Sequence, residues 1–224
     1  MGVDSVQEVQ RTYFPAAGRD WALPLYDPLL KLLGADSARR LLLEHSDLRP
    51  GQRVLDIGCG TGTLVVLIKR VYPEVSIVGL DPDPKALARA KKKAARAGAS
   101  IQFDQGFSDK LPYSDASFDR VFSSFMFHHV NANEREKTLR EVRRVLSSEG
   151  SVHLLDFESS GSGTHGVLAR WLHSSHRLKD NSESRILELM RGAGFTNPKK
   201  VASGAILLGH LRFAYHSGTT VTAE

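Results

Sequence analysis

The stretch VLDIGCGTG, residues 54–62, carries the clearest chemical signal in the sequence. An apolar run leads directly into Gly58, Gly60 and Gly62, and a helix-like stretch follows them. Glycines allow the backbone to approach a ligand closely, and the free N–H groups at the start of a helix favour an anionic group. We therefore predict a ligand-binding loop between a strand and a helix.

Asp81 follows this loop by nineteen residues, at the end of the next strand-like run, VSIVGLD. In a doubly wound sheet the ends of adjacent strands share one crevice, so this carboxylate can accept two hydrogen bonds from a ribose diol. The three glycines hold the first, third and fifth positions, whereas the dinucleotide fingerprint needs a glycine at the sixth, where Thr63 stands. The pattern therefore indicates an adenosine-type site and disfavours NAD.

The elements that must position these residues alternate between strand and helix from about residue 53 to 156, which predicts crossover units and a mainly parallel sheet. We predict strands at RVLDI, VSIVGLD, SIQFD, FDRVFSS and SVHLLDF, and helices at 37–44, 63–71, 83–97 and 133–146. The tail, residues 196–214, is predicted to form two strands that turn near Ser203 and Gly204.

Composition excludes several classes of protein. The chain has 224 residues and one cysteine, so it can form neither an internal disulfide nor a cysteine-rich zinc site, and a cytoplasmic location is expected. The sequence has no apolar run of membrane-spanning length, and its start lacks the features of a signal peptide. The net charge of +5 does not by itself indicate a partner.

A basic run, KALARAKKKAARAG, concentrates much of that charge on one predicted helix. It could contact RNA or form a solvated helix face. We favour the solvated face, because the positive residues surround the helix and no aromatic residues lie between them. A nucleic-acid partner is therefore not expected.

Four blocks in order resemble the class I S-adenosylmethionine (SAM)-dependent methyltransferases: VLDIGCGTG, LDPDP, LPYSDASFDRVFSSFMFHHV and LREVRRVLSSEG. The resemblance covers roughly residues 50–157 and is closest to the subgroup typified by ubiquinone and menaquinone biosynthesis C-methyltransferases. It implies an α/β, Rossmann-like sheet of seven strands, mostly parallel, with a C-terminal β-hairpin and helices on both faces. It also implies SAM as cofactor and S-adenosylhomocysteine as product.

The resemblance assigns roles to the residues that match the family's motifs. Asp56 and Gly58 would contact the methionine part of SAM, while Gly60 and Gly62 shape the loop. Asp81 would hold the ribose hydroxyls.

The adenine end departs from the family pattern. Pro82 would lie against adenine, but relatives commonly place an Asp where Phe107 stands in the string GFSDKLPY. Either adenine stacks on Phe107 with backbone contacts at Ser108, or Asp109 supplies the polar contact from a shifted position. The departure predicts either weaker discrimination of adenine or a changed loop.

His128 and His129 follow the predicted fourth strand and are the candidate catalytic residues. One of them could serve as a general base near neutral pH, or they could be positioning or ordinary loop histidines. No catalytic role is predicted for His165, His173 and His176, because histidines in a polar loop are usually solvated. No metal site is predicted, because no carboxylate or cysteine spacing accompanies these histidines.

The expected domain organisation is an N-terminal helical and aromatic cap over residues 1–48 and a methyltransferase domain over 49–224. Within that domain, residues 158–182 are a candidate lid or acceptor-side insertion. The expected function is methyl transfer from SAM to a small-molecule acceptor, on O, N or C. A non-catalytic module that binds SAM or S-adenosylhomocysteine and an RNA or protein methyltransferase are the alternatives. The acceptor and the oligomeric state are not predicted.

Overall fold

The computed structural model describes residues 34–158, 181–206 and 211–221, and within these ranges seven strands form one sheet. The strands are β1 (Arg53–Ile57), β2 (Ser76–Asp81), β3 (Gln102–Gln105), β4 (Phe118–Ser124), β5 (Leu146–Phe157), β6 (Thr196–Ile206) and β7 (Leu211–Thr219). Their order is β3-β2-β1-β4-β5-β7-β6. The first five are parallel, and β7 runs antiparallel between β5 and β6. The expected Rossmann-like sheet with a C-terminal hairpin is thus confirmed.

Helices cover both faces of this sheet in the described residues. They are α1 (Ala35–Glu44), α2 (Thr63–Val71), α3 (Pro84–Arg96), α4 (Ala132–Val145) and α5 (Glu183–Gly192), with a short 3-10 helix at Phe127–His129. Side chains of α1, α2 and α3 are buried in one hydrophobic core, and those of α4 and α5 are buried in a second core. None of the helices in the described ranges has the length and apolar character needed to cross a membrane.

Local sequence accounts for the bounds of α3, which differ by one residue at each end from the predicted helix. Asp83 precedes the helix as its N-cap, and its side chain accepts a hydrogen bond of 2.8 Å from the backbone N–H of Lys85. Pro84 occupies the first helical position, where a missing N–H costs nothing. Gly98 follows the helix with a φ of +63°, a conformation that glycine adopts without strain.

The predicted turn near Ser203 and Gly204 is wrong, because β6 continues through both residues to Ile206. Gly204 pairs with Phe213 of β7, and a Cβ atom at Gly204 would lie 2.6 Å from the Phe213 ring. This glycine therefore makes room for an aromatic ring inside the hairpin instead of turning the chain. The connection between the two strands falls at residues 207–210, outside the described ranges.

Two of the predicted regions extend beyond the described residues. Of the expected cap over 1–48, the structure describes only residues 34–48, and Leu42 and Leu43 of α1 are buried in the same core as Ile206 and Tyr215 of the sheet. Of the candidate lid, residues 159–180 lie outside the description. The division into cap and domain and the lid assignment remain predictions.

Candidate cofactor site

The loop after β1 is fastened to the neighbouring strand by its own backbone. The N–H groups of Gly58 and Cys59 both donate to the carbonyl oxygen of Leu80 in β2, at 2.7 and 3.0 Å. Gly58, Gly60 and Gly62 all have positive φ, at +67°, +54° and +77°. Because L side chains rarely adopt this conformation, the three glycines allow the tight path between β1 and α2.

Two of these glycines also permit close packing. A Cβ atom at Gly58 would lie 2.1 Å from Cγ and 2.8 Å from Cβ of Met126, which follows β4. A Cβ atom at Gly62 would lie 2.9 Å from Cβ of Ala90, so this glycine lets α2 begin directly against α3. Gly58 thus brings the loops after β1 and β4 together, whereas Gly62 sets the distance between two helices.

Asp81 at the end of β2 is oriented by two backbone donors. Its Oδ2 accepts from the N–H of Gly60 at 2.8 Å and its Oδ1 from the N–H of Asp83 at 2.9 Å. Burial raises the pKa of Asp81 to about 6, although both of these hydrogen bonds favour the carboxylate. Each oxygen keeps a further lone pair, so the carboxylate can accept from two adjacent hydroxyl groups of a ribose.

Asp56 in β1 is the most deeply buried acid of the site, with 1% of its surface exposed. Burial, opposed by attraction to Arg39 and reinforced by repulsion from Asp81, raises its pKa to about 8. Its Oδ1 is buried without a hydrogen-bond partner among the described residues. A buried acceptor of this kind is costly unless a donor reaches it, so Asp56 fits the ammonium group of an amino acid.

The residues expected at the adenine end line the same cleft. Pro82, Phe107, Ser108 and Asp109 all line the cleft. The Ser108 hydroxyl lies 3.1 Å from that of Thr138 in α4, which fixes this part of the cleft to the helix. Because Phe107 and Asp109 both line the cleft, both explanations for the departure at Phe107 are compatible with the structure.

The two candidate catalytic histidines have different surroundings. His129 lines the cleft, whereas His128 is not among the lining residues. The backbone N–H and the Nδ1 atom of His128 each bond to the carboxylate of Asp156 at 2.6 Å. The two imidazole rings lie 4.0 Å apart between centroids. His128 is therefore held by Asp156 and packs behind His129.

Asp156 at the end of β5 is a residue that the sequence interpretation missed. Burial alone would raise its pKa, but attraction to His128 and hydrogen bonds from the His128 ring and two backbone N–H groups hold the pKa of Asp156 below its usual value. The sequence did contain a signal, because an acid ends the apolar run of β5 just as Asp81 ends β2. An ionised carboxylate here can fix the ring orientation of His128.

The structure brings together most of the residues proposed for the cofactor. The cleft is lined by Asp56, Gly58, Gly60, Asp81, Pro82, Phe107 and Ser108. Gly62 is not among the lining residues and instead packs against α3. Arg39 of α1, which the sequence interpretation also missed, lines the same cleft. The sequence did mark Arg39, because it places a charged residue on the apolar face of α1, one turn after the buried Ala35.

One lysine of the basic run is not on a solvated face. Lys93 of α3 is half-buried and donates to the hydroxyls of Thr61 and Thr63, at 3.1 and 2.7 Å. Its neighbours Lys91 and Lys92 are exposed, as the solvated-face interpretation predicts. Lys93 therefore ties α3 to the glycine loop.

A glycine loop at the end of one parallel strand, facing an acid at the end of the next, defines a protein that binds a nucleoside cofactor at the carboxyl edge of its sheet. Comparison with known proteins shows which kind of nucleoside-cofactor protein this chain resembles. A family model described as a methyltransferase domain matches residues 54–150. A demethylmenaquinone methyltransferase from Deinococcus radiodurans is 36% identical over 178 residues, covering 78% of this chain and 70% of the relative.

Two further comparisons agree with this class. A demethylmenaquinone methyltransferase from Thermus thermophilus is 35% identical over 150 residues, covering 66% of this chain and 67% of the relative. A phosphoethanolamine N-methyltransferase 2 from Haemonchus contortus, solved in complex with SAM, superposes with a TM-score of 0.77. That match covers 95% of this chain and 61% of that structure at 15% identity, so it supports the fold alone.

The chain belongs to the class I SAM-dependent methyltransferases, within the ubiquinone and menaquinone biosynthesis type. Its cofactor is SAM, and the expected methyltransferase activity is confirmed. The chemistry of the site suits this cofactor: Asp56 has a buried acceptor without a partner among the described residues, two backbone N–H groups orient the Asp81 carboxylate, and the loop glycines leave backbone atoms open to a ligand.

Proposed function

We propose that this methyltransferase acts on a small molecule, at a ring carbon beside a hydroxyl group of a reduced quinone. The relatives named as demethylmenaquinone methyltransferases support this acceptor class. The observation that carries the proposal is the part of the cleft formed by residues that follow β4, where Phe125, Met126 and Val130 line the cleft together with His129. Apolar side chains next to a titratable imidazole suit a flat, hydroxylated ring.

In this proposal, different residues of the cleft bind the ribose, methionine and adenine parts of SAM. Asp81 holds the ribose hydroxyls, and Asp56 takes the ammonium group of the methionine part beside Gly58. Pro82, Phe107 and Ser108 form the adenine wall, and Gly60 and Gly62 shape the loop. SAM supplies a methyl group on a positively charged sulfur, which needs no further activation. The protein then has to align the acceptor and exclude water.

His129 acts as the general base in this proposal. It accepts the proton of the ring hydroxyl, and the electron pair released into the ring makes the neighbouring carbon nucleophilic. That carbon forms the new C–C bond as the bond between methyl and sulfur breaks, so S-adenosylhomocysteine leaves as a neutral thioether. The methylated carbon then loses its proton to water, which restores the aromatic ring. His128, held by Asp156, positions the ring of His129.

A transfer assay with methyl-labelled SAM tests the acceptor. Size-separated lysate fractions and a reduced naphthoquinone with an unsubstituted ring carbon are offered in parallel, and label is expected in the small-molecule fraction and on a ring carbon of the quinol. Asp81→Ala should abolish the labelling, and Lys92→Ala, on an exposed part of α3, should leave it unchanged. Label confined to RNA or protein would overturn the proposal.

The same assay separates the two histidines. General bases contribute roughly 10²- to 10⁴-fold to rate, so His129→Gln should lower kcat by at least about a hundredfold while the affinity for S-adenosylhomocysteine stays constant. His128→Gln should lower kcat by about tenfold or less, because it acts through His129. A larger loss for His128→Gln than for His129→Gln would reverse the assignment.

A further inference from the structure

Arg39 is a positive charge in an unusual place. It lies on the face of α1 that packs on the sheet, next to the buried Ala35, Ala38 and Leu42, and only 6% of its surface is exposed. A buried guanidinium is costly unless its donors find acceptors. The surroundings of Arg39 therefore show what it is placed to bind.

The contacts of Arg39 use only some of the hydrogen-bond donors of its guanidinium group. One terminal nitrogen bonds to Asp36 one turn earlier, at 3.3 Å, and the group lies 5.6 Å above the ring of Phe125. The Nε atom is buried without a hydrogen-bond partner among the described residues. Arg39 is thus held in position by Asp36 and Phe125 with donor capacity left over.

Asp56 lines the same cleft as Arg39. It is close enough for Arg39 to influence its ionisation, yet its Oδ1 is also buried without a partner. A guanidinium and a carboxyl group line one cleft here, and each keeps a polar atom that has no partner in the described ranges. They form a site for a zwitterion, because a bound ammonium group favours the ionised form of Asp56. A carboxylate would meet the guanidinium of Arg39, and an ammonium group would meet the carboxylate of Asp56.

We propose that Arg39 binds the carboxylate of the methionine part of SAM and selects cofactors that carry an intact amino-acid end. The planar guanidinium presents several donors to a carboxylate, which suits this role better than a point charge does. The inference rests on the role proposed above for Asp56, and it is independent of the acceptor. It makes α1, which precedes the glycine loop in the chain, part of the cofactor site.

The alternative is that Arg39 only offsets the charge of Asp56 and supports the shape of the cleft. The two roles differ in what they predict for a ligand that keeps the amino group but lacks the carboxylate. Decarboxylated SAM is such a ligand. Loss of a carboxylate contact weakens S-adenosylhomocysteine selectively, whereas a distorted cleft or a change in the ionisation of Asp56 weakens both ligands.

Calorimetric titration of both ligands tests the inference without any need for turnover. Arg39→Met should weaken S-adenosylhomocysteine by at least about tenfold, the loss expected for a charge-assisted hydrogen bond, and decarboxylated SAM by less than about twofold. Arg39→Lys keeps the positive charge but lacks the planar set of donors. We expect it to weaken S-adenosylhomocysteine less than Arg39→Met does, with the same selectivity between the two ligands. Arg40→Met, exposed on the same helix, serves as the matched control and should change neither affinity.

Equal losses for the two ligands, or no loss for S-adenosylhomocysteine, would overturn the role of Arg39. If Arg39→Met does not fold, the selectivity of Arg39→Lys decides the question alone. Asp81→Ala tests the assignment of the cofactor site separately from the role of Arg39, since it should weaken both ligands. If Asp81→Ala weakens neither, the cofactor site itself is wrongly assigned, whatever the result at Arg39.

Discussion

The loops after β1 and β4 follow neighbouring parallel strands and meet in one cleft, but they are built in different ways. In the loop after β1, every positive φ falls on a glycine, and the backbone itself forms the surface. In the loop after β4, Phe125 takes a φ of +54°, a conformation that is strained for a bulky side chain. The backbone N–H of Phe125 donates to the carbonyl oxygen of Leu155 in β5 at 2.7 Å. The next residue of β5, Asp156, is hydrogen-bonded to the ring of His128 in the same loop.

This difference shows two ways of fixing a functional surface. The loop after β1 is fixed by conformation, since glycine allows one tight path and leaves backbone atoms exposed to a ligand. The loop after β4 is fixed by contacts from β5, which hold a strained backbone and orient side chains. Changes of shape should therefore damage the first loop most, and changes of hydrogen bonding should damage the second.

The largest effect is expected from Gly58→Ala. The added methyl group would lie 2.8 Å from Cβ of Met126, an atom that no side-chain rotation moves away, and the φ of +67° adds backbone strain. Overpacking and a left-handed L residue together cost about 3 kcal/mol. Urea unfolding should show this loss, and calorimetry should show no S-adenosylhomocysteine binding at ligand concentrations that saturate the unmodified protein.

Gly60→Ala is the matched control in the same loop. Its φ of +54° is similar, but nothing lies within 4 Å of the added Cβ atom. Only the conformational cost remains, about 1 kcal/mol. Equal losses of stability at Gly58 and Gly60 would show that close approach to the loop after β4 contributes nothing.

The same contrast explains which parts of the site could be predicted from the sequence. A conformational requirement appears directly as a glycine, so the loop after β1 and the acid at Asp81 were evident from spacing alone. The clamp on His128 comes from Asp156, 28 residues away, and Arg39 reaches the cleft from α1. Contacts between distant residues leave little local pattern, which is why both were missed.

The hairpin at the sheet edge shows the limit of the glycine signal itself. The sequence predicts a turn near Gly204, yet Gly204 lies inside β6, where the ring of Phe213 occupies the space that a side chain would need. Glycine marks both a turn and a close approach, and the sequence does not distinguish them at this position. The strand–helix alternation from β1 to β5 is more informative about the fold, because the spacing of apolar residues in each segment distinguishes a strand from a helix.

A second, smaller effect is expected from Asp156→Asn, which tests the contacts that fix the loop after β4. The change removes charge-assisted hydrogen bonds to His128 and should destabilise the protein by about 2 kcal/mol at neutral pH. Because the pKa of Asp156 is lower in the folded state, this stabilisation is present above the ordinary carboxyl pKa of about 4. It is lost as pH falls through the folded pKa.

Urea unfolding of the variant and the unmodified protein from pH 8 downwards measures this difference. The two stabilities should converge at the acidic end. Asp115→Asn, whose side chain is 78% exposed, controls for the loss of a negative charge and should shift stability by less than about 0.5 kcal/mol. A difference that persists undiminished to the acidic end would contradict the role of Asp156 as an ionised clamp.

The smallest effect, expected from Lys93→Met, tests whether side-chain contacts also support the loop after β1. Removing the hydrogen bonds to Thr61 and Thr63 should cost about 1 kcal/mol in urea unfolding. Because the glycine conformation remains, affinity for S-adenosylhomocysteine should fall by less than about threefold. Lys92→Met, on the exposed side of α3, should change neither quantity. A loss at Lys93 as large as that at Gly58 would mean that both loops depend on side-chain contacts, which would remove the distinction between them.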